Sequence, residues 1–194
     1  MEMLGNGVPF NGDIFMEKEF LSLKDKYKIT HVIETGTHHG YTTSWLADNF
    51  KQVRTLEINP EYLKLTYPQI GKKENVLTLQ CSSAEHLITA IRDWNDVPLL
   101  VFLDAHWSAN PVLRELDQIK ESGIKPILVI HDFKVPDHPE LGYDTYPEQG
   151  IVYEWNWISE KVDAIYGVGG YRYYYNSEAT GAKRGCVFII PKHA

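Results

Sequence analysis

A chain of 194 residues with 43% apolar residues is large enough to bury one hydrophobic core, which predicts a single domain. Its formal charge of −7 and isoelectric point near 5.6 argue against a protein that binds nucleic acid or membrane surfaces through charge. Cys81 and Cys186 are the only cysteines. With no signal peptide and no apolar run of transmembrane length, we expect reduced thiols and a cytoplasmic location.

The order of apolar and polar stretches predicts the fold class. An irregular arm of about a dozen residues precedes a predicted helix at 14–26, where apolar residues recur at helical spacing. Predicted strands then alternate with amphipathic helical patterns. Each strand is a compact apolar run, and the strands lie at 31–35, 53–57, 76–80, 98–104 and 126–131. A polar loop follows at 132–150, then a helical pattern from Ile151 and two late strands at 170–175 and 185–190. This order predicts an α/β protein with a mostly parallel sheet and helices on both faces.

The most informative stretch is 32–40, where the first strand ends in Glu34 and two glycines, Gly36 and Gly40, lead into a helical run. Such a turn brings bare backbone close to a ligand at the carboxyl end of a sheet. Glu57 ends the next strand about twenty residues later, a distance suited to a carboxylate that binds ribose hydroxyls. A carboxylate at position 34, where a dinucleotide fold has its first glycine, would repel pyrophosphate but would hold a cation or an amine. The pattern therefore disfavours a nicotinamide enzyme.

This arrangement resembles motif I of the class I S-adenosylmethionine-dependent methyltransferases, and the resemblance extends over about residues 28 to 190. It implies a Rossmann-like, doubly wound, mostly parallel sheet of seven strands whose last strand is antiparallel. It also divides the single methyltransferase-like domain, residues 1–194, into four parts. These are an N-terminal arm and helix (1–27), cofactor-binding βα units (28–131), an acceptor loop (132–150), and a helix with a closing hairpin (151–194).

The resemblance implies that residues at the ends of the first four strands bind S-adenosylmethionine. The implied cofactor-binding residues are Glu34, Gly36, Thr37, Gly40, Glu57, Ser83, Ala84 and Asp104. The first four would face the methionine part, Glu57 the ribose, and Ser83, or its neighbour Ser82, the adenine. Other readings of these residues stay open: the glycines as turn and packing residues, Glu57 as a helix cap, and Ser83 as the cap of the next helix.

The fourth and fifth strands end in a second group of polar residues. Asp104 and His106 follow the fourth strand, and His131 and Asp132 follow the fifth at the same edge. Carboxylates at adjacent strand ends need a cation or a proton to stay close. Oxygen ligands suit Mg²⁺, and an imidazole also allows Mn²⁺, Fe²⁺ or Zn²⁺. Alternatively, the aspartates cap the following helix and loop while the histidines bond to buried carbonyls.

This second group resembles the metal site of the macrocin-type O-methyltransferases, in which acids after these two strands hold a divalent ion beside the acceptor hydroxyl. Here the pair after the fifth strand is His131-Asp132 instead of two acids. The resemblance implies Asp104, His131 and Asp132 as ligands of Mg²⁺ or another divalent cation. It implies Asp104, His106 and His131 as catalytic residues, with His106 the leading base if no metal is bound and Asp132 orienting an imidazole.

The expected reaction is methyl transfer from S-adenosylmethionine to a hydroxyl of a small polar acceptor, such as a sugar or a glycosylated natural product. The loop 132–150 is expected to cover that acceptor. The expected partner is a small molecule, with a homo-oligomer left open and with no nucleic acid or membrane. Two other functions stay open: a metal-dependent hydroxylase or hydrolase built on the same Asp/His cluster, and a non-catalytic module that binds the methyl donor.

Overall fold

A computed structural model describes residues 7–105 and 110–192 of the protein. The helices are α1 (Ile14–Tyr27), α2 (Tyr41–Asn49), α3 (Pro60–Ile70), α4 (Ser83–Ile91), α5 (Val112–Ser122) and α6 (Trp155–Tyr166). The strands are β1 (His31–Thr35), β2 (Gln52–Glu57), β3 (Val76–Gln80), β4 (Leu99–Leu103), β5 (Ile127–His131), β6 (Thr145–Tyr146), β7 (Ile151–Val152), β8 (Tyr171–Tyr175) and β9 (Cys186–Pro191). In the described ranges no helix combines the length and the apolar character that crossing a membrane requires.

Seven of these strands form one sheet in the order β3-β2-β1-β4-β5-β9-β8, while β6 and β7 form a separate ribbon. The first five strands pair in parallel, and β9, the last strand of the chain, is antiparallel to both of its neighbours. The predicted fold class, a mostly parallel seven-stranded Rossmann-like sheet with an antiparallel last strand, is confirmed. Because the chain order reverses between β1 and β4, the carboxyl ends of these two strands border the crevice where such sheets bind ligands.

Helices cover both faces of the sheet and divide the core into two clusters. One face packs against α4, α5 and α6 through residues that include Leu87, Leu116 and Val162. The other face packs against α1 and α2 through residues that include Phe20 and Leu46. All five residues of β4 and of β5 are buried, because helices lie on both sides of these central strands. This burial explains why their sequences are continuously apolar and do not alternate.

The helix predicted from Ile151 begins later than its apolar pattern indicates. Residues 151–152 form β7, which pairs with β6, and α6 begins at Trp155. Gly150, with φ of 68°, makes the turn that precedes β7. The first two apolar residues of the pattern therefore lie in the ribbon and not in the helix.

The described part of the N-terminal arm has the irregular backbone that the sequence predicts, with positive φ at Phe10 and Asn11, and it packs against the core. Residues Pro9–Gly12 form a 3-10 turn, and Phe10 within it is buried. The Phe10 ring packs against Phe20 and Trp45, with ring centroids 4.9 Å and 5.1 Å away. This contact anchors the described part of the arm on the α1 and α2 side of the sheet.

Candidate active site

The loop after β1 passes close to β4 because of a glycine. Gly36 has φ of 84°, and a Cβ at this position would lie 2.8 Å from the carbonyl oxygen of Asp104. The Gly36 N–H also donates to the carbonyl of Leu56 at 2.8 Å, which ties the loop to β2. Gly40, with φ of 78°, stands at the N-cap of α2, where a Cβ would lie 3.1 Å from Thr66 Cβ. Both positions have a positive φ and leave little room for a Cβ, so both favour glycine. The absence of a side chain at Gly36 lets the loop approach the strand end that carries Asp104.

Glu34 is a buried carboxyl just before this glycine loop, only 1% exposed. Its Oε2 accepts hydrogen bonds from the hydroxyls of Thr43 at 2.5 Å and Thr55 at 2.7 Å. The Thr55 hydroxyl also lies 2.6 Å from that of Thr37. Burial raises the pKa of Glu34 to about 8, although the two hydroxyls oppose the shift. These contacts hold the loop to β2, and the role of Glu34 toward the methionine part stays a prediction.

Glu57 links the end of β2 to the same loop. Its Oε2 accepts the backbone N–H of His38 at 2.9 Å, and its Oε1 accepts that of Asn59 at 2.8 Å. The residue is only 6% exposed. The two backbone hydrogen bonds fix its carboxylate in one orientation. Each carboxylate oxygen keeps a further lone pair for another donor. This geometry suits two ribose hydroxyls, and that assignment stays a prediction.

The start of α4 lies beside the end of β2. Ser82 occupies the N-cap position and Ser83 is the first helical residue, so the interpretation of Ser83 as the cap is wrong. Cys81 N donates to the Glu57 carbonyl at 3.0 Å, which places this turn next to the predicted ribose site. Ser83 is buried, and Ala84 follows it in the first turn of the helix.

Three predicted site residues come together at the carboxyl ends of β4 and β5. His131 Nδ1 lies 2.8 Å from Asp104 Oδ1 and 3.4 Å from Asp132 Oδ2. One candidate ligand atom from each residue lies within 4.8 Å of the other two. His131 is buried, whereas both carboxylates are partly exposed. Two oxygens and one imidazole nitrogen form a donor set that Mg²⁺, Mn²⁺ or a similar divalent ion accepts.

The buried Nδ1 of His131 makes no hydrogen bond of acceptable geometry within 7–105 and 110–192, despite its short distance to Asp104. Burial opposes a charge on this ring, but Asp132 and Asp104 outweigh burial and hold the pKa of the imidazole well above its usual value. The two carboxylates therefore favour the protonated form of the ring. A nitrogen without a hydrogen bond, between two carboxylate oxygens, is an arrangement into which a divalent ion fits.

Arg184 belongs to this cluster, although no sequence pattern identifies it. Its Nε donates to Asp132 Oδ1 and its Nη2 donates to Asp144 Oδ1. The loop that carries Asp144 is also held by the backbone, because Gly185 N donates to the Gly142 carbonyl at 2.8 Å. Arg184 thus fastens the predicted acceptor loop to β5 and β9. Asp132 uses one oxygen for Arg184 and keeps Oδ2 on the side of His131.

Some predictions for this edge are untested and one interpretation is wrong. His106, predicted to be catalytic, lies outside the described residues. The N-cap of α5 is Pro111, so the interpretation of Asp104 as a cap of the following helix is wrong.

Glu115, on the first turns of α5, is a second residue that the sequence patterns do not assign to the site. It is 0% exposed, and neither carboxyl oxygen makes a hydrogen bond of acceptable geometry to the described residues. Burial raises its pKa to about 7, while the nearby hydroxyls of Ser83 and Thr35 only partly oppose the shift. The sequence feature that indicates its burial is its spacing. Glu115 falls three residues after Val112 and therefore lies on the buried stripe of the helix.

Glu115 predicts a pH dependence of stability. Because the pKa of Glu115 is raised in the folded chain, folding is most favourable at a pH below the ordinary pKa of the carboxyl, where it is protonated in both states. This contribution to stability is lost as the pH rises through about 7. Between pH 5 and pH 8 the wild-type free energy of unfolding should therefore fall by about 2–3 kcal/mol more than that of Glu115→Gln. Urea denaturation at the two pH values measures this difference. Glu121→Gln, an exposed change on the same helix, is the control; equal slopes for all three proteins would contradict the prediction.

Comparisons with known proteins agree with the fold. No protein-family model matches the sequence, and no curated protein matches it. The structural neighbours include class I S-adenosylmethionine-dependent O-methyltransferases, and the chain has their Rossmann-like fold. At the low sequence identities involved, this likeness shows the fold, and the reaction must be argued from the site.

Three solved structures show the range of the similarity. An O-methyltransferase from Bacillus cereus in complex with SAH has a TM-score of 0.60 and 17% identity, over 95% of this chain and 84% of that chain. CalS10 from Micromonospora echinaspora, an amino pentose methyltransferase with bound SAM, has a TM-score of 0.57 and 14% identity, over 90% and 91%. Precorrin 8w decarboxylase from Methanobacterium thermoautotrophicum has a TM-score of 0.57 and 14% identity, over 97% and 95%. The last of these shows that a similar fold is also found in a decarboxylase.

Proposed function

We propose that the protein transfers a methyl group from S-adenosylmethionine to a hydroxyl of a small polar acceptor. The observation that carries this proposal is the close approach of Gly36 to the Asp104 carbonyl at the point where the sheet order reverses. This approach places an open backbone loop, suited to the donor, next to an Asp/His cluster suited to the acceptor. In-line displacement at a sulfonium carbon needs this proximity, since the donor is already electrophilic and the enzyme must align the acceptor and remove its proton.

The donor would lie along the carboxyl ends of β1, β2 and β3. Glu57, fixed by two backbone donors, would accept the two ribose hydroxyls. The turn from Gly36 to Gly40 would leave room for the methionine part, and Ser83 with Ala84 would border the adenine. Glu34 would add negative charge near the cationic end of the donor once it ionises, which a nearby cation favours by lowering the raised pKa.

The acceptor would bind at the cluster of Asp104, His131 and Asp132. A divalent ion held by these residues would lower the pKa of the acceptor hydroxyl and orient its oxygen. His131 must lose its Nδ1 proton before that nitrogen can bind a cation, because the two carboxylates keep the pKa of the ring high. Asp104, the more exposed carboxylate of the two, is then placed to accept the acceptor proton. His106 remains the proposed base for a reaction without metal.

The acceptor class is proposed from the site and from one structural neighbour. The rim that faces the loop is polar: Asp132 and Asp144 pair with the Arg184 guanidinium, and Asp104 lies beside His131. CalS10 is an amino pentose methyltransferase, which supports a sugar or a glycosylated molecule as acceptor. Cys81 and Cys186 are free thiols, which supports a cytoplasmic setting. A homo-oligomer is compatible with this proposal and is not needed by it.

Calorimetry with S-adenosylhomocysteine, in the presence and absence of Mg²⁺, tests the proposed function. We expect saturable binding of one nucleoside per chain in both conditions, since Glu57 and the turn from Gly36 to Gly40 lie outside the metal cluster. A methyl-transfer assay with a panel of sugars and glycosides should then show turnover that EDTA reduces. The absence of any binding heat would overturn the proposal.

The cluster of Asp104, His131 and Asp132 favours one alternative function, a metal-dependent hydrolase or hydroxylase. All three candidate ligand atoms for a metal ion come from this cluster, so the ion does not need a bound methyl donor. This alternative predicts metal-dependent turnover that does not change when S-adenosylmethionine is omitted. Consumption of the methyl donor in the same assay would exclude it.

A further inference from the structure

Strand β8 has a free edge. Among the described residues it ends the seven-stranded sheet and pairs with β9 alone. Two of its residues, Arg172 and Tyr173, are exposed, Tyr173 by 41%. The strand contains four tyrosines, a residue type that favours strands, and it has one charge and no proline to discourage pairing. An edge of this kind is a template for pairing with another chain.

The hydrogen bonds to β9 show which backbone groups of β8 point outward. At the two ends of the pairing, Lys192 N donates to the Gly170 carbonyl at 2.9 Å, and Asn176 N donates to the Cys186 carbonyl at 3.3 Å. In an antiparallel pair alternate residues bond to the same neighbour, so the even-numbered residues of β8 bond to β9. The odd-numbered residues therefore direct their backbone N–H and C=O groups to the free edge. These are Tyr171, Tyr173 and Tyr175.

This outward pattern is self-complementary about Tyr173. When a second copy adds its β8 in the antiparallel direction, with a two-fold axis at Tyr173, this residue meets its own copy and Tyr171 meets Tyr175 of the second copy. All three residues present outward groups, so each facing pair exchanges two backbone hydrogen bonds. A two-fold symmetric dimer thus pairs every outward backbone group of the strand.

The side chains on the α6 side of β8 suit this pairing. Tyr173 stacks on Trp155, with ring centroids 3.6 Å apart and an angle of 12° between the planes, so its ring is already held in place. The rings of Tyr175 and Tyr171 lie 5.8 Å and 6.4 Å from that of Tyr173. Across the axis, tyrosine faces tyrosine at all three positions, and aromatic pairs across strands stabilise a sheet.

The α1 side of β8 supplies complementary charges. Arg172 and Tyr174 stand one residue to either side of the axis, so Arg172 faces Tyr174 of the second copy. The Tyr174 hydroxyl donates to Glu19 of α1, so the guanidinium of one copy approaches a carboxylate of the other. A cavity of about 280 Å³ lies at this edge, and Glu19, Arg172 and Tyr174 are among the residues that line it. Opposite charges thus meet at two symmetric places in the same interface.

We propose that the protein forms a two-fold symmetric dimer through the free edge of β8, so that the two sheets join into one continuous sheet. The partner is a second copy of this chain, because the backbone groups, the tyrosines and the charges each find their complement across the axis. None of the residues proposed to bind the methyl donor or a metal belongs to this edge. The inference therefore does not rest on the proposed function.

Analytical ultracentrifugation of the full chain tests the dimer. The wild type should sediment with twice the chain mass of 22.3 kDa. Tyr173→Lys and Tyr173→Glu each place two like charges opposite each other at the axis, so each variant should weaken the dimer by about 100-fold. An equimolar mixture of the two variants should regain the dimer, because a lysine then faces a glutamate. This recovery would also show that both variants are folded.

Leu77→Lys is the matched control. Leu77 is 50% exposed on β3, the outer strand at the opposite end of the sheet, so the same charge there should leave the dimer intact. A wild type that stays monomeric at its highest soluble concentration would overturn the proposal, as would dimers that persist in both Tyr173 variants. Dissociation by Leu77→Lys would place the interface at β3 and overturn it as well. A mixture of the two Tyr173 variants that stays monomeric would exclude the contact at the axis.

Discussion

Replacing Asp104 by alanine is expected to lower methyl transfer by about 10³-fold while changing the affinity for S-adenosylhomocysteine less than about threefold. The reason is that the backbone and the side chain of Asp104 have different roles. Its backbone N–H and carbonyl shape the loop next to Thr35 and Gly36, and both groups remain in the variant. Only the carboxylate is removed, together with its place beside His131. Turnover is measured with labelled methyl donor, and binding by calorimetry.

Two further variants sharpen the Asp104 result. Asp104→Asn keeps the shape but not the charge, so it should lose activity almost as fully if the carboxylate binds a cation or accepts a proton. Asp117→Asn removes an exposed carboxylate of α5 that pairs with Lys161, and it should leave activity unchanged. Full activity in Asp104→Ala would remove this residue from the proposed chemistry.

Replacing Glu57 by alanine is expected to weaken S-adenosylhomocysteine binding by about 10²–10³-fold, since two hydrogen bonds to a charged group are lost together. The carboxylate also holds the backbone N–H groups of His38 and Asn59, so the loop loses its fixed orientation as well. Glu57→Gln should show a smaller loss, because one oxygen still accepts. Calorimetry with the product nucleoside measures all of these affinities.

Glu61 offers a control for Glu57 on the neighbouring helix. Its carboxylate is exposed and pairs with Lys64 at 2.8 Å, so Glu61→Ala removes the same charge without touching the loop. This variant should bind the nucleoside as the wild type does. Wild-type affinity in Glu57→Ala would show that the ribose is held elsewhere.

The fold was predictable because burial on both faces leaves a clear pattern. β4 and β5 are continuously apolar, and the intervening helices carry apolar stripes, so the sheet and its parallel strands follow from sequence. The meeting of Asp104, His131 and Asp132 was predictable for the same reason. Neighbouring parallel strands end at one edge, and residues that follow them must lie close together.

The parts that were not predictable depend on contacts between distant residues. Arg184 reaches Asp132 only because β9 inserts beside β5, and no local pattern records that pairing. In the sequence, Glu115 is one of several charged residues of an amphipathic helix, and its full burial becomes clear only when its spatial neighbours are known. The ribbon that precedes α6 is set by Gly150 and by pairing across the loop, which helical periodicity does not register.

The double ion pair of Arg184 has an evolutionary consequence. One guanidinium pairs with both Asp132 and Asp144 in a half-buried setting, so the loss of Arg184 removes the cation that these two carboxylates share near the acceptor loop. Natural relatives that lack this arginine should therefore also have replaced one or both of the two carboxylates, so that the three positions vary together. An alignment in which they vary independently would indicate that the loop is held in another way in those proteins.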